Sequence, residues 1–193
     1  MKRFFDLVIS SVLLVLFSPL ITLIAILIKL TSKGPIFFLQ IRIGKSAKTF
    51  KIIKFRSMIE GNHTDTISIA GDDRITKLGS ILRKYKLDEL PELWNVILGD
   101  MSLVGPRPDV PGYADKLVGE NRKILELRPG ITGPASIKYS DEEYVLLQKK
   151  DPVRYINEVI YPDKVKINLD YYYNNNIWID IKIIFATIFK IIF

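Results

Sequence analysis

Asp88 and Glu89 stand side by side in the run KLDELPE, just ahead of Pro91 and a stretch of helical apolar spacing. Adjacent side chains in a regular helix diverge by about 100°. At a helix start the geometry is looser, and both carboxylates can approach one centre. A helix N-terminus carries partial positive charge and free N–H groups, which favour an ionised carboxylate and an incoming phosphate alike. The plainer alternative is that Asp88 caps the helix and Glu89 decorates its first turn. Lys54, Arg56, Arg83, Arg107 and Arg128 all sit beside turns or Pro-Gly loops, and Arg107 is held between Pro106 and Pro108. Arginine suits bidentate contact with phosphate, although each of these side chains taken singly also reads as a solvated surface charge. Together, a carboxylate pair and several cations are what phosphoryl transfer with a divalent metal needs. Metal and cations neutralise the phosphates while one carboxylate acts as nucleophile.

Composition narrows the chemistry further. The 193 residues carry a formal net charge of +7 and 48% hydrophobic residues. That length allows one domain of ordinary size plus an anchor. The charge points to anionic partners: nucleic acid, anionic lipid or phosphorylated substrates. There is no Cys, which excludes disulfides, thiolate chemistry and Cys-based zinc sites. The one His, His63, lies in the polar run EGNHTDT and is assigned no role. Catalysis must therefore rest on carboxylates, hydroxyls, Lys or Arg.

The elements that must position these residues begin with an apolar segment. From Leu7 to Ile28 no residue is charged, and a straight helix of that length covers roughly 33 Å, enough for a bilayer core. It is long for a signal peptide, and no small-residue cleavage site follows it. Its centre is Ser18-Pro19. Proline inside a helix removes one backbone bond and costs about 3 kcal/mol in water; in lipid the freed carbonyl needs a partner, which Ser18 can supply. Basic residues flank both ends: Lys2 and Arg3 before, Lys29, Lys33 and Arg42 after. The positive-inside rule wants such residues on one side. A helix bent at Ser18-Pro19 satisfies it, and a kinked single span is the alternative.

Downstream, Ile36–Ile43 and Thr49–Phe55 read as β-rich runs around a turn at Gly44–Lys48, hence a hairpin. Glu60–Asp73 reads as a polar loop. Leu78, Ile81, Leu82 and Tyr85 follow helical spacing, as do Leu90, Leu93, Trp94, Ile97 and Leu98, with Pro91 opening and Gly99 closing the second helix. SLVGPRPDVPG and LRPGITGPAS read as rigid loops, and Asp141–Lys150 as a polar helix. The tail from Ile177 is rich in Ile and Phe. It reads either as an amphipathic helix in the membrane interface or as a helix packed on the core.

The motifs KGPIFFLQIRIG, FKIIKFRSM, KLDELPELWNVILGDMSLVGPRP and RPGITG occur in that order. With them the chain, over nearly its whole length, resembles the small monotopic phosphoglycosyl transferases of the bacterial sugar transferase family. The resemblance implies a mainly α fold with a small β-hairpin and interfacial amphipathic helices. Residues 1–33 would be a re-entrant membrane helix broken at Ser18-Pro19 and 34–176 a cytoplasmic catalytic domain. Residues 177–193 would be a C-terminal amphipathic helix of the same domain. The reaction implied moves sugar-1-phosphate from a UDP-sugar to undecaprenyl phosphate and releases UMP, beginning a polysaccharide or glycan. Asp88 matches the family's nucleophile, which forms a covalent phospho-sugar intermediate, and Glu89 matches the carboxylate associated with Mg²⁺. Lys54, Arg83 and Arg107 match basic positions and Arg128 joins them as a phosphate-binding candidate; Asp170 and Tyr173 match a late D-x-x-Y segment.

The chain departs from the family after RPGITG, where PASIKYSDEE leaves Lys138 or Tyr139 near a position usually held by Arg. It reads as the minimal catalytic form, without the extra N-terminal helices of larger members. The implied setting is the cytoplasmic face of the bacterial inner membrane. Partners would be the UDP-sugar, undecaprenyl phosphate and membrane lipid, with no nucleic acid and a homodimer left open. The rival reading is a non-catalytic, membrane-anchored basic module that binds anionic lipid or nucleic acid.

Overall fold

The computed structural model describes residues 1–59 and 72–192 and is mainly helical. His63 and the polar stretch from 60 to 71 lie outside the described residues. The longest element is the 30-residue α1 (Lys2–Thr31), long and apolar enough to cross a membrane. The helix is unbroken through Pro19, so the expected break at Ser18-Pro19 is not an interruption of secondary structure. Pro19 has no N–H to give the Val15 carbonyl. Ser18 Oγ donates to that oxygen instead at 2.8 Å, and Thr22 Oγ1 donates to Ser18 O at 2.9 Å.

One stripe of α1 faces the rest of the protein. Asp6, Ser10, Leu14, Ile24 and Ile28 are buried at helical spacing. The first half of the helix packs with Leu93, Leu103, Val104, Tyr171 and Ile183. The second half packs with Phe55 and Leu82. The opposite face, including Val12, Leu16, Leu23 and Leu30, is exposed. Polar contacts pin both ends of the helix. Arg3 donates to Val96 O at 2.5 Å and to Ile97 O at 3.0 Å. At the far end Arg56 donates to Ser32 O at 2.9 Å and to Ser32 Oγ at 2.7 Å.

The hairpin forms as read. β1 (Phe37–Ile43) and β2 (Thr49–Phe55) pair antiparallel, from Phe37 opposite Phe55 to Ile43 opposite Thr49. α2 (Lys77–Lys84) is capped by Thr76, whose Oγ1 accepts from Gly79 N–H at 2.8 Å. α3 (Glu92–Leu98) follows Pro91 and ends at Gly99, whose φ of 99° is the left-handed conformation that glycine adopts without strain. Asn95, buried in α3, fixes that helix to the hairpin: its Oδ1 accepts from Ile53 N–H at 3.0 Å and its Nδ2 donates to Lys51 O at 2.8 Å.

The two Pro-Gly stretches are more than loops. β3 (Ser102–Val104) and β4 (Gly130–Thr132) pair in parallel, Ser102 with Gly130 and Val104 with Thr132. The chains approach so closely that a Cβ at Gly105 would overlap Arg128 O and one at Gly130 would overlap Gly105 N. The glycines read as turn signals are needed for this contact. Four further helices follow: α4 (Pro134–Lys138), α5 (Glu142–Leu147), α6 (Pro152–Tyr155) and, after a π-type turn, α7 (Tyr161–Asn174). The last helix, α8 (Ile177–Ile192), divides by face. Ile179, Ile183 and Ile184 pack on the α1 core, while Trp178 and Phe185 are exposed. The reading of the tail as a helix packed on the core thus describes one face of α8, and the other face is apolar and exposed.

Candidate active site

Asp88 and Glu89 lie on a single 3₁₀ turn, Leu87–Glu89, between α2 and α3. The turn is entered through Lys86 in the left-handed conformation, φ 54°. Both acids are buried. Asp88 does not cap α3, which has no side-chain cap. Its Oδ1 is buried and has no hydrogen-bond partner.

Glu89 is in the opposite situation. Its Oε1 accepts from Lys54 Nζ at 2.8 Å and from Arg107 Nη2 at 2.7 Å. Lys54 comes from β2, fixed to α3 through Asn95, and Arg107 from the Pro-Arg-Pro loop that leaves β3. The hairpin, the α2–α3 turn and the parallel ladder thus each deliver one part of the cluster. Arg42 of β1 steadies the Pro-Arg-Pro loop by donating to Pro108 O at 3.1 Å.

The sequence reading places neither Arg42, named there only as a flanking charge, nor Glu92 at the site. Glu92 is 1% exposed, and its Oε1 lies 3.2 Å from Lys54 Nζ without hydrogen-bond geometry. The available signal was the third acid of KLDELPE, one helical turn after Asp88.

The neighbouring acids respond oppositely to this environment. Burial, then the Glu89 charge, pushes the Asp88 carboxyl above its ordinary value, against the pull of Lys54, Arg83 and Lys86. Burial works the same way on Glu89. There the Arg107 guanidinium and the Lys54 ammonium outweigh it, and the carboxyl is held well below the usual range. Burial also pushes Glu92 up to about 7, opposed by Lys54 and reinforced by Glu89. Glu89 is thus the fixed anion, and Asp88 is the unpartnered one.

The other expected cations divide. Arg83 acts on Asp88 through its charge while its guanidinium pairs with Glu143 of α5. Arg128 makes its contact elsewhere: Nε donates to Gly99 O at 2.9 Å, holding the C-terminus of α3. Arg56 is buried and ties β2 to the end of α1, so it is neither a surface charge nor a member of this cluster. Asp170 is exposed on α7 and accepts from Asn174 Nδ2 at 3.0 Å, and Tyr173 donates to Glu120. Lys138 and Tyr139 both donate to Asp163, each at 2.6 Å.

The donor set suits a hard cation. Asp88 offers an orphaned carboxylate oxygen, and the two cations on Glu89 share one oxygen. Among the described residues no group of three His, Cys, Asp or Glu side chains is gathered as a metal cage. Mg²⁺ does not require one, since it binds through one or two carboxylates, substrate phosphates and water.

The family model described as bacterial sugar transferase matches residues 1–193. The UDP-glucose:undecaprenyl-phosphate glucose-1-phosphate transferase of Klebsiella pneumoniae is 39% identical over 194 residues, 98% of this chain and 39% of that protein. The UDP-N-acetylgalactosamine-undecaprenyl-phosphate N-acetylgalactosaminephosphotransferase of Aeromonas hydrophila is 39% identical over 196 residues, 97% of this chain and 42% of its own length. The exopolysaccharide production protein PSS of Rhizobium leguminosarum bv. phaseoli is 37% identical over 203 residues, 97% of this chain and 93% of its own. The chain thus spans about two fifths of the first two relatives and nearly all of the third.

Proposed function

From the premise that this chain belongs to the bacterial sugar transferase family, we propose that it transfers sugar-1-phosphate from a UDP-sugar to undecaprenyl phosphate, as a step of exopolysaccharide assembly. The observation that carries this reading is the asymmetric acid pair, with Glu89 clamped by Lys54 and Arg107 beside an Asp88 oxygen that nothing occupies.

In the first step Asp88 Oδ1 attacks the β-phosphorus of the UDP-sugar. A bond forms from the carboxylate to phosphorus and the bond to the bridging oxygen breaks. UMP leaves with that electron pair. In the second step a phosphate oxygen of undecaprenyl phosphate attacks the same phosphorus and expels Asp88, giving the undecaprenyl diphosphate-linked sugar. No net proton is consumed in either displacement. Lys54 and Arg107 are fixed before substrate arrives, so they neutralise phosphate charge with little reorganisation. A desolvated carboxylate without hydrogen bonds is a stronger nucleophile than a solvated one. Mg²⁺, held by Glu89 and Asp88 together with phosphate oxygens, would supply further charge neutralisation.

The placement of α1 supports a re-entrant rather than a transverse helix. Arg3 near one end and Ser32 at the other both bond to the same globular body. A helix bound in that way keeps both ends on one side of a bilayer, here the cytoplasmic face. The Ser18 hydroxyl bonded to Val15 O lets Pro19 lie in an apolar medium without a bare carbonyl. The outward Trp178 of α8 suits the headgroup layer.

The deciding experiment is a UMP-release screen over UDP-sugars with undecaprenyl phosphate and Mg²⁺, followed by mass analysis of the protein after UDP-sugar alone. A sugar-phosphate adduct on wild type that is absent from Asp88→Asn is expected. Normal UMP release by Asp88→Asn would refute the covalent route. For topology, cysteines at Lys33 and ahead of Met1 in this Cys-free chain should label from the same side of sealed vesicles; labelling from opposite sides refutes the re-entrant helix.

A further inference from the structure

Glu92 has no part in the two displacements, yet it is among the most deeply buried charged side chains among the described residues. A buried carboxylate costs several kcal/mol unless paired. Its Oε1 makes no hydrogen bond, and its ion-pair partner is Lys54, 3.2 Å away. For folding alone, replacing the buried pair as a whole by neutral side chains of the same shape would serve as well or better.

The reason for an acid here lies in Lys54. An ammonium on a four-carbon stem has three donors and little intrinsic orientation. One donor reaches Glu89 Oε1 at 2.8 Å, but Arg107 claims the same oxygen at 2.7 Å. The pull of Glu89 on Lys54 is therefore divided. Glu92, three residues further along and entering α3, supplies a second negative charge 3.2 Å from the same ammonium. The remaining charges that act on Glu92 are those of Glu89 and Arg107, with Arg42 of β1 beyond.

We propose that Glu92 is the positioning residue for Lys54: the Glu89 and Glu92 carboxylates clamp the ammonium between them, fixing its charge and direction for the substrate phosphate. The role in turnover rests on the proposed phosphoryl transfer; the clamp itself does not, and the test separates them.

The first measurement is the acylation rate of Lys54 in the full-length protein at pH 8.5, followed by peptide mass analysis, with exposed Lys51 on the same strand as reference. An ammonium released from one of its two carboxylates is freer to swing out and meet the reagent. Glu92→Gln should raise the Lys54 rate relative to Lys51 by about threefold or more, the worth of one ion-pair contact. The second measurement is turnover: kcat for UMP release should fall by about ten- to a hundredfold, with KM for the UDP-sugar changed by less than about threefold. The thermal midpoint should hold, because Lys54 is not stranded and keeps Glu89 as its partner. If Glu92→Gln does not accumulate folded, Glu92→Asp, which shortens the reach by one methylene, is read by the same two rates. An unchanged Lys54 rate overturns the proposal, and so does a faster Lys54 rate with unchanged kcat. If wild type releases no UMP from any UDP-sugar, the reaction reading fails and the Lys54 rate alone decides the clamp.

Discussion

Buried carboxylates occur in two regions of this protein, and they are treated differently. At the foot of α1, Asp6 accepts from Ser102 Oγ at 2.8 Å and from Leu103 N–H at 3.3 Å. Nearby Asp180 accepts from Tyr171 Oη at 2.5 Å and pairs with Lys2. These acids are met by donors, and they tie α1 to β3, α7 and α8. On the α2–α3 turn and the start of α3, Asp88 Oδ1 and Glu92 Oε1 are buried without a hydrogen bond. Buried polar groups in folded proteins are normally paired, because an unmet one costs about 1–3 kcal/mol. Of these two, the Glu92 oxygen faces the Lys54 ammonium, which leaves the Asp88 oxygen as the one with no partner at all. In the proposed reaction that is the oxygen the substrate meets.

The largest expected effect separates the regions by activity. Asp88→Asn should lower turnover by at least about a thousandfold while the thermal midpoint holds or rises. A large drop in midpoint would move Asp88 into the structural class. Asp180→Ala should do the reverse. It strands Lys2 and the Tyr171 hydroxyl, and breaking a buried pair costs about 3 kcal/mol, seen as a lower midpoint with kcat retained in the protein that remains folded. Loss of kcat at constant midpoint would erase the distinction.

A pH titration sharpens the contrast between the adjacent acids. In the proposed displacement Asp88 must be ionised to attack, and burial raises its pKa. Activity should therefore fall with decreasing pH at a midpoint above the ordinary aspartate value of about 4. A limb at the ordinary value would contradict the burial argument. The stability signs are opposite for the pair. The raised Asp88 contributes stability present below its unfolded pKa and lost as pH rises through its folded one. The depressed Glu89 contributes stability present above its unfolded pKa and lost only as pH falls through its lower folded value. Asp88→Asn should accordingly remove the fall in midpoint as pH rises from the unfolded to the folded Asp88 value. The smallest effect concerns Arg128. As a strut on Gly99 O it should cost about 1–2 kcal/mol when changed to Ala, with KM for the UDP-sugar unchanged; a clear rise in KM would return it to the phosphate-binding set.

Much was legible in advance where local rules suffice. Alternation and a turn signal located the hairpin, and Pro91 and Gly99 bracketed α3. The acid pair, Lys54 and Arg107 could be named because their types and motifs select a chemistry. The parallel ladder of β3 and β4 was not legible. Three-residue strands have no periodicity, and their pairing joins segments about 28 positions apart. Arg56, Arg128 and Asp170 look like site residues in one dimension, and each makes its hydrogen bonds elsewhere.

By itself the sequence determined the long apolar N-terminal helix, the basic balance, the absence of thiol chemistry and the pairing of Asp88 with Glu89. These follow from composition and from neighbours along the chain. Only the tertiary structure decided which acid is clamped and which is open, because that depends on where Lys54, Arg107 and Glu92 converge. Their charges come from a strand, a loop and a helix, and burial sets how strongly each is felt. Two adjacent acids of nearly the same intrinsic strength are driven apart by that convergence, and no spacing along the chain encodes it.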